Sequence, residues 1–186
     1  AMLSAHVGNY EMGGYTLVAK SKCIYMLVFG QETQTVMENR QEQFGKTNIR
    51  MVPVGNGMNH LFAINEALTT GQILSMTADR RFGSEKAVPC NFFGAEALFP
   101  MGPFATVIQR DVPTLVVLVV KTGTRSYHAV VKRLPMPESH LPRKERIALL
   151  AQAYANELEN VVRQYPEQWF NFFNIWTTTT CHSPKQ

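Results

Sequence analysis

The sequence predicts an α/β fold, a mostly parallel sheet flanked by helices, in a single domain over residues 1–186. Three observations predict it. Short apolar runs of strand length alternate with segments of helical periodicity along the chain, the pattern of βαβ units. The run 114–120 is almost entirely β-branched and reads as a strand. At 45% apolar and 17% charged residues, the 186-residue chain has globular composition and enough length for one core without staples.

Each element follows in order. A strand of a few residues leads to His6. The apolar run 24–29 is a buried strand. Residues 33–44 place Val36, Met37, Arg40 and Phe44 near helical spacing, and Gly45 stops that helix. Residues 49–54 form the next strand. The helix 58–68 spaces Leu61, Ile64, Asn65 and Leu68 at helical intervals and closes at Gly71. Residues 73–78 make a strand ending at Asp79. Pro103 starts a short helix, 103–110, at its first position. The strands 114–120 and 127–134 come next. Three prolines between Leu134 and Pro142 mark a connection. The longest element, 142–164, aligns Ile147, Leu150, Tyr154, Leu158, Val161 and Val162 on one stripe between Pro142 and Pro166.

Composition narrows the function classes. The longest apolar run, 115–120, is far below the ~18 residues of a spanning helix. Cys23, Cys90 and Cys181 are odd in number and lie at no metal-ligand spacing, so neither a disulfide scaffold nor a zinc site is expected. His60, His128, His140 and His182 form no ligand pattern, and no glycine-rich phosphate loop follows a strand. The net charge of +4 is uneven: seven cations lie between Lys121 and Arg146, opposed only by Glu138 and Glu145. That stretch reads residue by residue as a solvated face, and as a whole it suits an anionic surface.

The residues that carry chemistry lie near the start. His6 and Glu11 are five apart, which on one continuous helix would put them about 140° around the axis from each other. They meet only if the chain bends between them. Gly8 permits the bend and Asn9 can cap a following helix. A carboxylate in that first turn stays ionised, and bonded to one imidazole nitrogen it fixes the tautomer and leaves the other nitrogen as a base. With no serine or cysteine placed beside it as a nucleophile, such a dyad suits deprotonation of an external alcohol or amine that attacks a carbonyl. The plainer alternative is a loop histidine and a solvated acid.

The segment His6-Val7-Gly8-Asn9-Tyr10-Glu11 resembles the histidine-x4-acid motif of the lysophospholipid acyltransferase superfamily, and is most similar to the lipid A lauroyl and myristoyl acyltransferase branch. Further segments resemble that branch in order: the arginine-containing helix around Arg40 ahead of Gly45; the apolar strand ending at Asp79-Arg80-Arg81; the turn Phe92-Phe93-Gly94; Gly102-Pro103; and the aromatic tail around Tyr165-Pro166 and Trp169. The resemblance implies a glycerolipid acyltransferase-like sandwich. It implies that His6 is the general base and Glu11 its orienting partner, with Arg40, Asp79 and Arg80 at the substrate. The donor is then a thioester on acyl-carrier protein or coenzyme A. The acceptor is a lipid A precursor or related amphiphile at the membrane surface, and no metal, organic cofactor or nucleic acid is called for. The expected location is peripheral, on the cytoplasmic face of a bacterial inner membrane. Where the branch has aspartate-glutamine this chain has Asp79-Arg80, which bears on the acceptor. Relatives carry a membrane-anchoring helix before the histidine motif, whereas here the motif opens at His6. That motivates the competing expectation of a non-catalytic module that keeps the fold and binds lipid or acyl-carrier protein. The aromatic cluster Trp169, Phe170, Phe172, Phe173 and Trp176 reads either as a lid on the core or as a patch in the headgroup zone.

Overall fold

A computed structural model describes residues 1–9, 21–29, 47–55, 57–81 and 85–177. Eight strands are found among them: β1 (Met2–Ser4), β2 (Ile24–Phe29), β3 (Ile49–Val54), β4 (Ile73–Thr77), β5 (Ala87–Phe92), β6 (Ala95–Pro100), β7 (Leu115–Lys121) and β8 (Tyr127–Arg133). Three α-helices accompany them: α1 (Asn59–Thr69), α2 (Met101–Arg110) and α3 (Arg143–Gln164). The helix expected over 33–44 lies outside the described residues.

Six strands form one sheet in the order β3-β2-β4-β1-β7-β8, and β5 and β6 pair separately. Strands β1, β2, β3, β4 and β7 are parallel neighbours, and only β8 runs antiparallel, on β7. The first strand of the chain is thus inserted between β4 and β7, with Met2 opposite both Ser75 and Leu115. Leu3, Leu74, Met76, Val116, Leu118 and Val120 belong to one core with Ile64 of α1, Phe104 of α2 and Leu150, Tyr154 and Leu158 of α3. Val117 and Val119, on the other face of β7, are also buried, as a run without alternation requires.

Local chemistry explains the boundaries. Helix α1 ends in a Schellman turn: Gly71 at φ +69° lets its N–H reach Leu68 O (3.4 Å) and the Gln72 N–H reach Ala67 O (2.7 Å). Helix α3 begins right after Pro142 and ends just before Pro166, as the stripe predicts. One expectation is corrected. Helix α2 starts at Met101, so Pro103 is its third residue and Pro100 stands at its N-cap. Residues 87–100 are a β-hairpin turned at Phe93 (φ +56°) and Gly94 (φ +80°), the left-handed pair of a tight hairpin turn.

Candidate active site

Parallel strands end together at one edge of the sheet, where α/β folds gather ligands beside a point at which connections diverge. Here β1 and β4 are parallel neighbours, and their carboxyl ends deliver His6 and Asp79 side by side. Register fixes this: Ser4 pairs with Thr77, and the Ala78 N–H donates to Ser4 O at 2.9 Å. Two residues later on each chain, the Asp79 carboxylate takes both donors of His6. Nδ1 lies 2.8 Å from Oδ1, and the backbone N–H donates to Oδ2 at 2.9 Å.

Asp79 is 1% exposed and His6 17% exposed. A buried carboxylate is costly unless hydrogen-bonded, so its position depends on the His6 donors. As acceptor of the Nδ1 proton it selects the tautomer of neutral His6 whose lone pair is on Nε2. Tyr154 stands below the pair. Its hydroxyl donates to Ser4 O at 2.7 Å, and burial together with the Asp79 charge raises its pKa well above the ordinary phenol value. It therefore remains a neutral donor that pins the end of β1.

The turn after His6 is built by contacts from distant segments. Gly8 has φ +61°, and a Cβ there would sit 2.0 Å from Val119 O, so only glycine fits. The Gly8 N–H donates to Gln168 O and the Asn9 N–H to Val119 O, each at 2.8 Å. The Phe170 N–H donates to His6 O at 2.8 Å. Gln168 reaches across to β7, its side-chain amide bonded to the Lys121 N–H and C=O at 2.8 Å each. The stretch after His6, which still runs parallel to β7 where Gly8 pairs with Val119, is thus clamped between β7 and residues 168–170.

The sequence-expected site residues fare differently. His6 and Asp79 are brought together. Asp79, expected at the substrate, instead points both oxygens at His6. Arg80 donates from Nη2 to Phe170 O, and its guanidinium lies 5.9 Å from the centroid of the Phe173 ring, on the rim of the same site. Glu11 and Arg40 lie outside the described residues. Phe92 is fully buried, edge-on to Phe99 and Trp169, and so belongs to the core. Trp176 joins that cluster and donates Nε1 to Phe92 O at 3.0 Å. Cys90 is buried, which pushes its thiol up to about 12 and leaves it unreactive. Among the described residues, no group of three histidine, cysteine or acidic side chains is arranged to hold a metal ion. Sequence reasoning missed the positioning contacts of Tyr154, Gln168 and Phe170. Tyr154 carried only the signal of its place on the buried stripe, and the other two act through backbone or amide groups that leave no motif.

An imidazole held by a buried carboxylate at the carboxyl edge of a parallel sheet is an arrangement able to move a proton, in a fold of the acyltransferase kind. The sequence matches the family of bacterial lipid A biosynthesis acyltransferases over residues 1–178, and the chain belongs to that family. It is an acyltransferase, in a family whose acyl donors are of the acyl-carrier protein or coenzyme A type. No curated protein matches the sequence. No helix among the described residues is long and apolar enough to cross a membrane.

Proposed function

We propose that this protein moves a fatty acyl group from an acyl-carrier protein or coenzyme A thioester to a hydroxyl or amine of an amphiphilic acceptor, a lipid A precursor or a close relative of it. The observation that carries the reading is the double hold of Asp79 on His6, in a chain of this family. Nε2 of His6 takes the proton of the acceptor O–H or N–H as that atom attacks the thioester carbonyl. The carbonyl oxygen becomes an oxyanion. Its collapse breaks the C–S bond, and the imidazolium returns the proton to the leaving thiolate. Asp79 holds the ring in one tautomer and supports the imidazolium while it exists. Glu11, the acid of the motif, is proposed as a further orienting partner of His6. Arg80 and Arg40 suit phosphate groups of acceptor or donor, because the guanidinium fork matches phosphate geometry.

The test is acyl transfer by the purified chain from acyl-carrier protein or coenzyme A thioesters to a detergent-dispersed lipid A precursor. His6→Ala is expected to lose about 10²–10⁴-fold in kcat, and Asp79→Asn about 10³–10⁴-fold by analogy with other carboxylate–imidazole pairs. Equal turnover by His6→Ala and the parent chain overturns the mechanism.

A further inference from the structure

The six-stranded sheet has two edges, and they are finished differently. At one, β3 carries Pro53, a residue that blunts an edge because it offers no N–H. At the other, β8 runs for seven residues without a proline, and its ladder to β7 has no bulge. Every residue of β8 except Val130 is exposed, and Tyr127 and Val131 are among the large apolar side chains left in solvent.

The phase of the β7–β8 ladder fixes which backbone groups face outward. The Thr122 N–H donates to Ser126 O and the Leu134 N–H to Thr114 O, each at 2.9 Å. Bonded pairs recur at every second residue of an antiparallel ladder, so His128, Val130 and Lys132 turn their backbone groups to β7. Tyr127, Ala129, Val131 and Arg133 turn theirs away, and among the described residues no strand meets them. A row of unpaired donors and acceptors is a template for another strand. This row is symmetric about Val130, as a contact between identical strands requires.

We propose that two copies of this chain pair through β8, antiparallel about Val130, into one continuous sheet. In that register every outward N–H and C=O meets one of the partner's. One face sets Tyr127 opposite the partner's Arg133 and Ala129 opposite the partner's Val131. The other sets His128 opposite the partner's Lys132 and Val130 opposite its own copy. Lys132 and Arg133 are the kind of cation that guards an edge against pairing, yet here neither faces another lysine or arginine, and the guanidinium meets a phenol ring. The neighbouring registers are worse. Centred on Ala129, the pairing drives Arg133 towards the partner's Arg125. Centred on Val131, it sets Tyr127 against the partner's Pro135, which has no N–H to give. The pairing does not depend on the acyltransferase chemistry.

Two strand edges bury less area than a standard interface, so association is expected to be weak and concentration-dependent. Sedimentation equilibrium of the full chain is expected to show monomer giving way to dimer as concentration rises. A mass that stays monomeric up to about 0.1 mM overturns the proposal, whether the edge is then free or taken by an extended strand of another protein. Tyr127→Lys puts like charges opposite each other at both ends of the pairing and is expected to weaken dimerisation about tenfold. Adding Arg133→Glu makes those pairs oppositely charged and is expected to restore it. Both side chains are exposed, so the variants keep the fold, which far-ultraviolet circular dichroism checks. A dimer that Tyr127→Lys leaves untouched, or that the double variant does not rescue, forms elsewhere on the molecule and overturns the pairing through β8.

Discussion

Gly8 is where the demands on a single residue are strongest. Its φ lies in the left-handed region, and any side chain would run into the Val119 carbonyl. Gly8→Ala is expected to cost about 2 kcal/mol or more, read as a lowered thermal midpoint, and to reduce activity by shifting the His6 turn. Glu159 offers a charge-based test. It accepts from the Phe93 N–H at 2.6 Å and pairs with Arg163 at 2.6 Å, and these hold its pKa below the ordinary 4.5. A depressed carboxylate contributes stability that is present above its unfolded-state pKa and lost as pH falls through the folded one. Glu159→Gln is therefore expected to be less stable than the parent at neutral pH, with the gap closing as pH drops below about 4.5. A constant gap in denaturation across that range would show that the charge contributes nothing. The His6–Asp79 pair was half legible at this scale. Asp79 reads from the sequence as a strand-end residue near a site, but its partner is 73 positions away, and only the β1–β4 register brings them together.

Helix α3 ties several layers together. One face packs Leu150, Tyr154 and Leu158 into the core, and Gln152 and Glu159 on its flank hold the β5–β6 hairpin at Asn91 and Phe93. Leu158→Ala leaves a cavity at a fully buried position and is expected to cost about 2–5 kcal/mol in chemical denaturation. The stripe of this helix was plain in the sequence, because a 22-residue amphipathic pattern between two prolines has few alternatives. The hairpin was hidden. Val88, Cys90 and Phe92 are buried with Pro89 and Asn91 exposed between them, a two-residue alternation. Pro89 and Asn91 are poor strand formers, however, and mask it. The turn at Phe93 hid the connection further, since a phenylalanine with positive φ is rarely chosen there.

Across the whole molecule, strand direction separates charges that are close in sequence. The basic stretch from Lys121 to Arg146 reads as one cluster along the chain. In the fold, Lys121 and Arg125 lie at the carboxyl edge of the sheet beside His6. Arg143 and Lys144 open α3 at the opposite edge, where Arg143 reaches Gln109 and Arg146 pairs with Asp111. Lys121→Glu/Arg125→Glu is expected to weaken flotation of the chain with anionic lipid vesicles more at low salt than at high salt. Arg143→Glu/Lys144→Glu is expected to leave flotation as it is. Equal effects of the two pairs would mean that net charge, not the placement of charge, governs binding. The α/β class was legible because runs and periodicities alternate clearly, whereas the strand order was not, since adjacency of β1 to β7 spans more than 110 residues.

The clamp on His6 also sets a timetable for synthesis. The histidine leaves the ribosome some 160 residues ahead of the backbone groups of Gln168 and Phe170 that grip the stretch around it. β1 likewise waits for β4 and β7 before it has neighbours on both sides. A nascent chain therefore carries its imidazole unassembled until those residues emerge, and a proteolytic cut ahead of Gln168 would return the folded protein to that unassembled condition while sparing most of its core.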